Sequence, residues 1–226
     1  MKRLITGPLP WLTPMLVLIF GVVLWPVFEM IRTSTLEISA SGVIKGFVGF
    51  DNYTELFENP NLMGTFTRTI TWVLIVVFFT ILISLALAQL LNQNFPGRTI
   101  VRWAIIVPWA ASVIMTATSF RWMLDGYYGI FNRILLDLGV ITEVKEWLGN
   151  PDTSFPLLIV VAIFVSLPFT TFVLLAGLQT IPNELYEAAK VDGSGIWKTY
   201  RSITFPLLSS ALTVAAVINL INVFNQ

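Results

Sequence analysis

Residues Phe155 to Leu178 read FPLLIVVAIFVSLPFTTFVLLAGL, twenty-four positions without one charged side chain. A helix rising 1.5 Å per residue needs about 20 mostly apolar residues to cross the hydrocarbon of a bilayer. A helix on a soluble protein would instead carry a polar stripe. Working outward, four more charge-free runs appear: Leu9–Phe28, Thr69–Leu91, Trp103–Phe120 and Ile203–Phe224, of 20, 23, 18 and 22 residues. Five membrane spans are predicted, the 18-residue run being the shortest. Trp103 and Trp122 flank that run, and Trp11 and Trp25 lie near the ends of the first, where interface anchors belong.

The whole chain agrees with these runs. Of 226 residues, 56% are apolar and 12% charged, and the mean hydropathy is +0.80. Soluble domains carry about 45–50% apolar and about 25% charged residues. Thirteen basic and thirteen acidic residues cancel, so no broad basic field exists to attract nucleic acid. There is no Cys and no His. Disulfides, zinc-finger spacings, thiol nucleophiles and His-based triads are excluded together. The first apolar run is long, and Glu29 and Arg32 follow it without a small-x-small site, so it reads as a retained span and not a cleaved signal.

Charge sets the orientation. With a cytoplasmic N-terminus, the inside segments 1–8, 92–102 and 179–202 hold Lys2, Arg3, Arg98, Arg102, Lys190, Lys198 and Arg201. The much longer outside segments, 29–68 and 121–154, hold six basic residues. Basic residues concentrate on the cytoplasmic side of membrane proteins, so this orientation is predicted. Outside, Phe47 to Tyr53 mixes aromatics with turn formers and is predicted to be ordered. Gly42-x-x-x-Gly46 matches a helix-dimer motif but lies in a polar loop. The sequon Asn52-Tyr53-Thr54 is too short to carry weight.

The inside segment from Thr180 to Tyr200 reads TIPNELYEAAKVDGSGIWKTY. Pro182 and Glu184 suit a first helical turn. Leu185, Ala188 and Ala189 fall on one face, with Glu184 and Glu187 on another. Gly193 supplies a turn that other residues resist, and Ser194 is placed to cap a second short helix. The physics leaves two uses open: a helix tucked beneath the bundle, or a docking helix for a cytoplasmic partner. A phosphate loop is excluded, because Asp192 and Trp197 stand where that motif needs glycines.

This segment resembles the EAA loop of bacterial ABC importer permeases. Glu187-Ala188-Ala189-x-x-Asp192-Gly193-Ser194, five residues, then Tyr200-x-x-Ile203-x-Phe205-Pro206, is similar to the family pattern E-A-A-x-x-D-G-A, five residues, F-x-x-I-x-L-P. Ser194, Tyr200 and Phe205 depart from it while keeping approximate size or character. Phe47 to Leu56, Phe95 to Trp109, Tyr128-Gly129-Ile130-Phe131-Asn132 and Gly177 to Pro182 resemble the carbohydrate branch, of maltose, glycerol-phosphate and trehalose type. The resemblance implies an all-α, polytopic membrane protein with the type I importer permease fold. Residues 1–226 would form a single permease domain of five spans, and a sixth is expected in a complete chain.

The resemblance also implies the partners. They are a second permease subunit, two ATP-binding subunits, an extracytoplasmic sugar-binding protein and membrane lipid, with no nucleic acid. ATP and Mg belong to the partner ATPase subunits, and no cofactor or metal is implied on this chain. Glu187, Ala188, Ala189, Asp192 and Gly193 would couple the permease to the ATPase. Hydrogen-bonding groups in the spans are candidates for a sugar path, because polar groups facing lipid are costly. Ser112 and Thr116 lie in the third span, Ser166, Phe169, Thr170 and Thr171 in the fourth. Pro168 is expected to kink that fourth helix and free a carbonyl. Asn219, Asn222 and Gln226 share a face of the fifth, with Asn225 beside Asn222. Helix–helix hydrogen bonding is the plain alternative for each.

Ion-coupled carriers place ionisable groups inside spans, and these spans contain none, which also weighs for an uncharged sugar. An intramembrane enzyme would need a nucleophile with a base or paired carboxylates there. A structural subunit without a transport role is a further alternative. The orientation is testable because the chain lacks cysteine. Single cysteines replacing Asn94 and Ser194 should resist an impermeant thiol reagent outside intact cells, and one replacing Glu55 should react. Outside labelling of Ser194→Cys would invert the topology.

Overall fold

The computed structural model of the chain describes residues 9–225. Lys2, Arg3 and the rest of segment 1–8 lie outside the described residues, as does Gln226. In chain order the elements are α1 (Leu9–Leu18), a π-helical stretch Ile19–Leu24, α2 (Trp25–Thr33), β1 (Leu36–Ile38), β2 (Ile44–Phe47), α3 (Asp51–Glu58) and α4 (Leu62–Asn92). There follow α5 (Arg98–Ala110), α6 (Val113–Met123), α7 (Ile130–Asp137), α8 (Pro151–Gln179), α9 (Asn183–Val191), α10 (Ile196–Thr199), a π-helical stretch Tyr200–Thr204 and α11 (Phe205–Phe224). Among the described residues, four helical segments are long and apolar enough to cross a membrane: Trp11–Thr33, Leu62–Asn92, Pro151–Gln179 and Ile196–Phe224.

The expected third span is not one straight helix. α5 and α6 meet at 99°. The break falls where Ala111 and Ser112 turn extended, and Ser112 Oγ accepts the Met115 N–H as the N-cap of α6. Pro108 stands in the last turn of α5. A proline removes a helical donor, and a capping serine satisfies the N–H groups that a new helix exposes. An unbroken apolar count over 103–120 hides both.

The chain divides into two compact units, through Thr67 and from Arg68. In the first, the side chains of Trp11–Phe28 are almost all exposed, Trp11 and Trp25 included. Residues 36–47 form an antiparallel hairpin, an element absent from the all-α expectation. Its turn contains Gly42 at φ +79°, so the Gly-x-x-x-Gly match belongs to a hairpin and not to a helix seam. The Phe47–Tyr53 stretch is ordered. Asn52 Nδ2 donates to the Ser34 and Leu36 carbonyls at 2.9 and 3.0 Å, and the Tyr53 hydroxyl meets Ser34 Oγ at 2.6 Å.

In the second unit α4, α8 and α11 pack together. One apolar cluster joins Ala88, Leu91, Leu174, Leu178, Leu208 and Ala215; another joins Val73, Val76, Ala162 and Val223. α8 and α11 approach closely at Gly177, where a Cβ would sit 2.5 Å from the Ala211 Cβ. Polar groups in the spans pair across helices: Ser84 Oγ donates to the Leu167 carbonyl at 3.3 Å and Trp72 Nε1 to that of Val223 at 3.4 Å.

The segment between α6 and α8 is knotted around Asn132, 3% exposed. Its amide donates to the Gly126 and Lys145 carbonyls at 2.8 and 2.9 Å. Its Oδ1 accepts from Trp147 Nε1 at 2.8 Å and from the Lys145 N–H at 3.3 Å. Gly129 is needed beside it, since a Cβ there would collide with the Asp125 and Met123 carbonyls. Asn132→Leu would strand several buried donors and acceptors at about 1–3 kcal/mol each. Thermal unfolding of the detergent-purified protein should fall well below the parent, and an unchanged midpoint would contradict this assignment.

Candidate functional site

The bend between α5 and α6 opens a cavity of about 430 Å3 against the middle of α8 and the far end of α11. Trp109 comes from α5, Thr116 from α6, Phe164, Ser166 and Phe169 from α8, and Asn219 and Asn222 from α11. No charged side chain lines it. Of the pathway candidates named from the sequence, Thr116, Ser166, Phe169, Asn219 and Asn222 meet on one cavity, and Ser112 and Thr171 do not line it. Thr170 does not line it. It is fully buried behind the wall and accepts a hydrogen bond from Asn219 Nδ2 at 2.8 Å. Asn225 spends its amide on its own helix, donating to the Ile221 carbonyl.

Proline at 168 offers no N–H to the Phe164 carbonyl one turn back, and both residues line the cavity. The contributions of Trp109 and Val113 escaped the sequence pattern, because they face the cavity only through the bend, and that of Phe164 on α8 escaped because one more aromatic in an apolar run carries no signal. The signal that could have found them is Pro108 four residues before Ser112: a helix breaker followed by a cap inside an apolar run.

The Thr180–Tyr200 segment forms two short helices. α9 contains Glu187, Ala188 and Ala189; Asp192 is its C-cap, and Gly193 follows at φ +69°. The turn closes through Gly193 N–H to the Lys190 carbonyl at 3.1 Å and Ser194 N–H to the Ala189 carbonyl at 2.9 Å, a Schellman motif. Ser194 thus acts through its backbone. The N-cap of α10 is Gly195, without a side-chain bond, contrary to the cap expected of Ser194.

The expected apolar face of α9 is split between two environments. Ala189 is buried and Tyr186 half-buried against the bundle, while Leu185, Ala188, Glu187 and Asp192 are exposed. The reason is the hydrogen bond between the Tyr186 and Thr204 hydroxyls, 3.2 Å, which rotates the Tyr186 face inward. Val191, Ile196 and Trp197, at 75% exposure or more, extend the outward surface. A second cavity of about 460 Å3 lies under the turn, lined by Gln89, Asn92, Tyr186 and Lys190 among others. Among the described residues no group of three or more carboxylates could hold a metal ion.

Residues 80–226 match the family described as "Binding-protein-dependent transport system inner membrane component". The chain belongs to this family. It is a permease component of ABC transporters. A probable ABC transporter permease of Brucella abortus is 39% identical over 221 residues, covering 98% of this permease and 76% of the relative. The trehalose/maltose transport system permease MalF of Thermococcus litoralis is 35% identical over 178 residues, covering 79% and 60%. In the crystal structure of a bacterial alginate ABC transporter in complex with an alginate pentasaccharide-bound periplasmic protein, one chain matches with a TM-score of 0.77 at 23% identity, covering 93% of this permease and 69% of that chain. Family and apolar helices together make the permease a multi-pass inner-membrane protein.

Gly193 has open space around its absent Cβ, so its constraint is torsional alone. Gly193→Val should cost about 1–2 kcal/mol through the left-handed backbone and loosen the end of α9. Gly193→Asn, which tolerates that conformation, should stay near the parent. Hydrogen exchange at the 189–194 amides reads the difference, and equal protection in the valine variant would refute it.

Proposed function

We propose that this permease forms half of the translocation pathway of an ATP-driven sugar importer, and that the sugar passes the cavity between the α5–α6 bend, α8 and α11. The observation that carries this is the meeting of aromatic faces with uncharged hydrogen-bonding groups in one cavity: Trp109, Phe164 and Phe169 beside Ser166, Asn219 and Asn222. Aromatic faces cover the C–H faces of a sugar ring while amides and hydroxyls serve its hydroxyl groups. The volume suits a small ligand, for which sites span about 300–1,000 Å3. A disaccharide of neutral character fits a lining without cations, and the similarity to the trehalose/maltose permease of Thermococcus litoralis supports that class.

A second permease subunit would close the other side of the pathway. Two ATP-binding subunits, holding ATP and Mg, would receive α9. Glu187, Ala188 and Asp192 are exposed for that contact, Ala189 anchors the helix to the bundle, and Gly193 holds its end. An extracytoplasmic binding protein would deliver the sugar. The N-terminus is assigned to the cytoplasm on the distribution of basic residues, and residues 1–226 to one permease domain.

Asn222 lines the cavity, and its side chain makes no hydrogen bond to another described residue, unlike that of Asn219. Asn222→Leu should therefore lower uptake several-fold, the scale of one hydrogen bond at about 1 kcal/mol. Co-purification with the ATPase subunits should be unchanged. Full uptake in this variant, or loss of the complex, would sink the pathway assignment.

A further inference from the structure

We propose that Thr170 is a positioning residue that fixes the amide of Asn219 so that only its carbonyl oxygen faces the sugar, making the site select hydroxyl donors at that point. This rests on the cavity being the sugar path. The reasoning starts from proton bookkeeping. The Thr170 hydroxyl has one proton, and it is donated to the Ser166 carbonyl one turn back at 2.8 Å. Thr170 Oγ1 can then only accept. The group that meets it must be the NH2 of Asn219, and it is, at 2.8 Å. The same NH2 also donates to the Ala215 carbonyl at 2.8 Å. Both amide protons are thus spent inside the bundle.

Asn219 is 3% exposed and Thr170 fully buried, so neither contact competes with water. What remains of Asn219 is Oδ1. It accepts no hydrogen bond from the described residues, and Asn219 lines the cavity. The flipped amide would set Oδ1 against Thr170 Oγ1 and the Ala215 carbonyl, acceptor against acceptor, and a buried polar group without a partner is costly. Thr170 therefore decides which end of the amide a solute meets, without touching the solute. A sugar hydroxyl can donate to this oxygen; an ether oxygen at the same place would face it unfavourably.

The test uses the importer reconstituted with its partner subunits and binding protein, and two readouts. The first is deuterium exchange of the Asn219 side-chain amide, observed by selective 15N-asparagine labelling. It should be slow in the parent and in Thr170→Ser, and at least tenfold faster in Thr170→Val, whose side chain has the same shape but no acceptor. The second is uptake of labelled maltose and trehalose. Thr170→Val should raise KM about fivefold, the scale of one hydrogen bond, with little change in kcat, and Thr170→Ser should restore it. In an Asn219→Ala background the valine change should add nothing.

Equal exchange in the parent and Thr170→Val would overturn the positioning role whatever uptake shows. So would a serine variant as impaired as the valine one, or additive effects in the double variant. Slow exchange in the parent that Thr170→Val accelerates, together with a parental KM in Asn219→Ala, would instead keep the hydrogen-bond relay and refute the selection of the sugar. Failure of the parent to import either sugar would refute the neutral-disaccharide assignment, with exchange still deciding the relay.

Discussion

A hydrocarbon layer supplies no hydrogen bonds, so each polar group inside it must find its partner within the protein or face a cavity. Asn219 is where this permease meets that demand most directly. An amide brings two donors and an acceptor into the membrane. The donors are absorbed by Thr170 on α8 and by Ala215 on its own helix. This ties α11 to α8 at the level where Pro168 interrupts the α8 ladder. The remaining acceptor can survive there only because a cavity adjoins it. The cavity and the helix contact are thus two consequences of one side chain, and a packing role at this residue is compatible with the proposed pathway role.

The same constraint explains the broken third span. Ending a helix within the bilayer leaves carbonyls at one end and N–H groups at the other. Such an interruption is tolerated only where it lines a cavity or is buried in protein. The α5–α6 break does line one, through Pro108, Ala111 and Val113. Ser112 meets one N–H of the new helix. Elsewhere in the bundle the solution is close approach, as at Gly177 against Ala211, where dispersion between small residues replaces the hydrophobic drive that lipid cannot supply.

How much of this was legible follows from what kind of information each feature needs. The straight spans were legible because absence of charge over twenty residues is a one-dimensional property, and Leu62–Asn92 and Pro151–Gln179 contain the expected runs. α9 and the Gly193 turn were legible because a helix end is local: the six residues 189–194 close it. The meeting of Ser166, Asn219 and Asn222 followed from seeking the polar residues in otherwise apolar helices, and Phe169 stands beside them on α8. The failures are features set by partners distant in sequence. Thr170 looked like Ser166 on paper, and only the position of α11 separates a wall residue from the one behind it. Ala188 and Ala189 point about 100° apart on the helix, and which of them enters the bundle is fixed by packing against it, where Tyr186 meets Thr204. The 99° bend fell between, since Pro108 and Ser112 were visible but a run of apolar residues was read as one rod.

The Tyr186–Thr204 contact also gives the proposed coupling a mechanical route. Thr204 belongs to the π-helical stretch that leads without a break into α11. Asn219 and Asn222 stand further along that helix, Asn219 about 22 Å from Thr204 at 1.5 Å per residue. A packed helix transmits displacement along its axis better than a loop would. A π-helical turn, with its looser hydrogen-bond ring, is a place where such a helix can be rewound. A partner that grips the exposed Glu187–Ala188 side of α9 would pull on α11 through the Tyr186 hydroxyl and through buried Ala189. The far end of α11 carries the amides that line the cavity, so a shift there changes the wall of the proposed pathway. The cavity beneath the α9–α10 turn, lined by Gln89 and Asn92 of α4 and by Leu178, Tyr186 and Tyr200, leaves space beside that route.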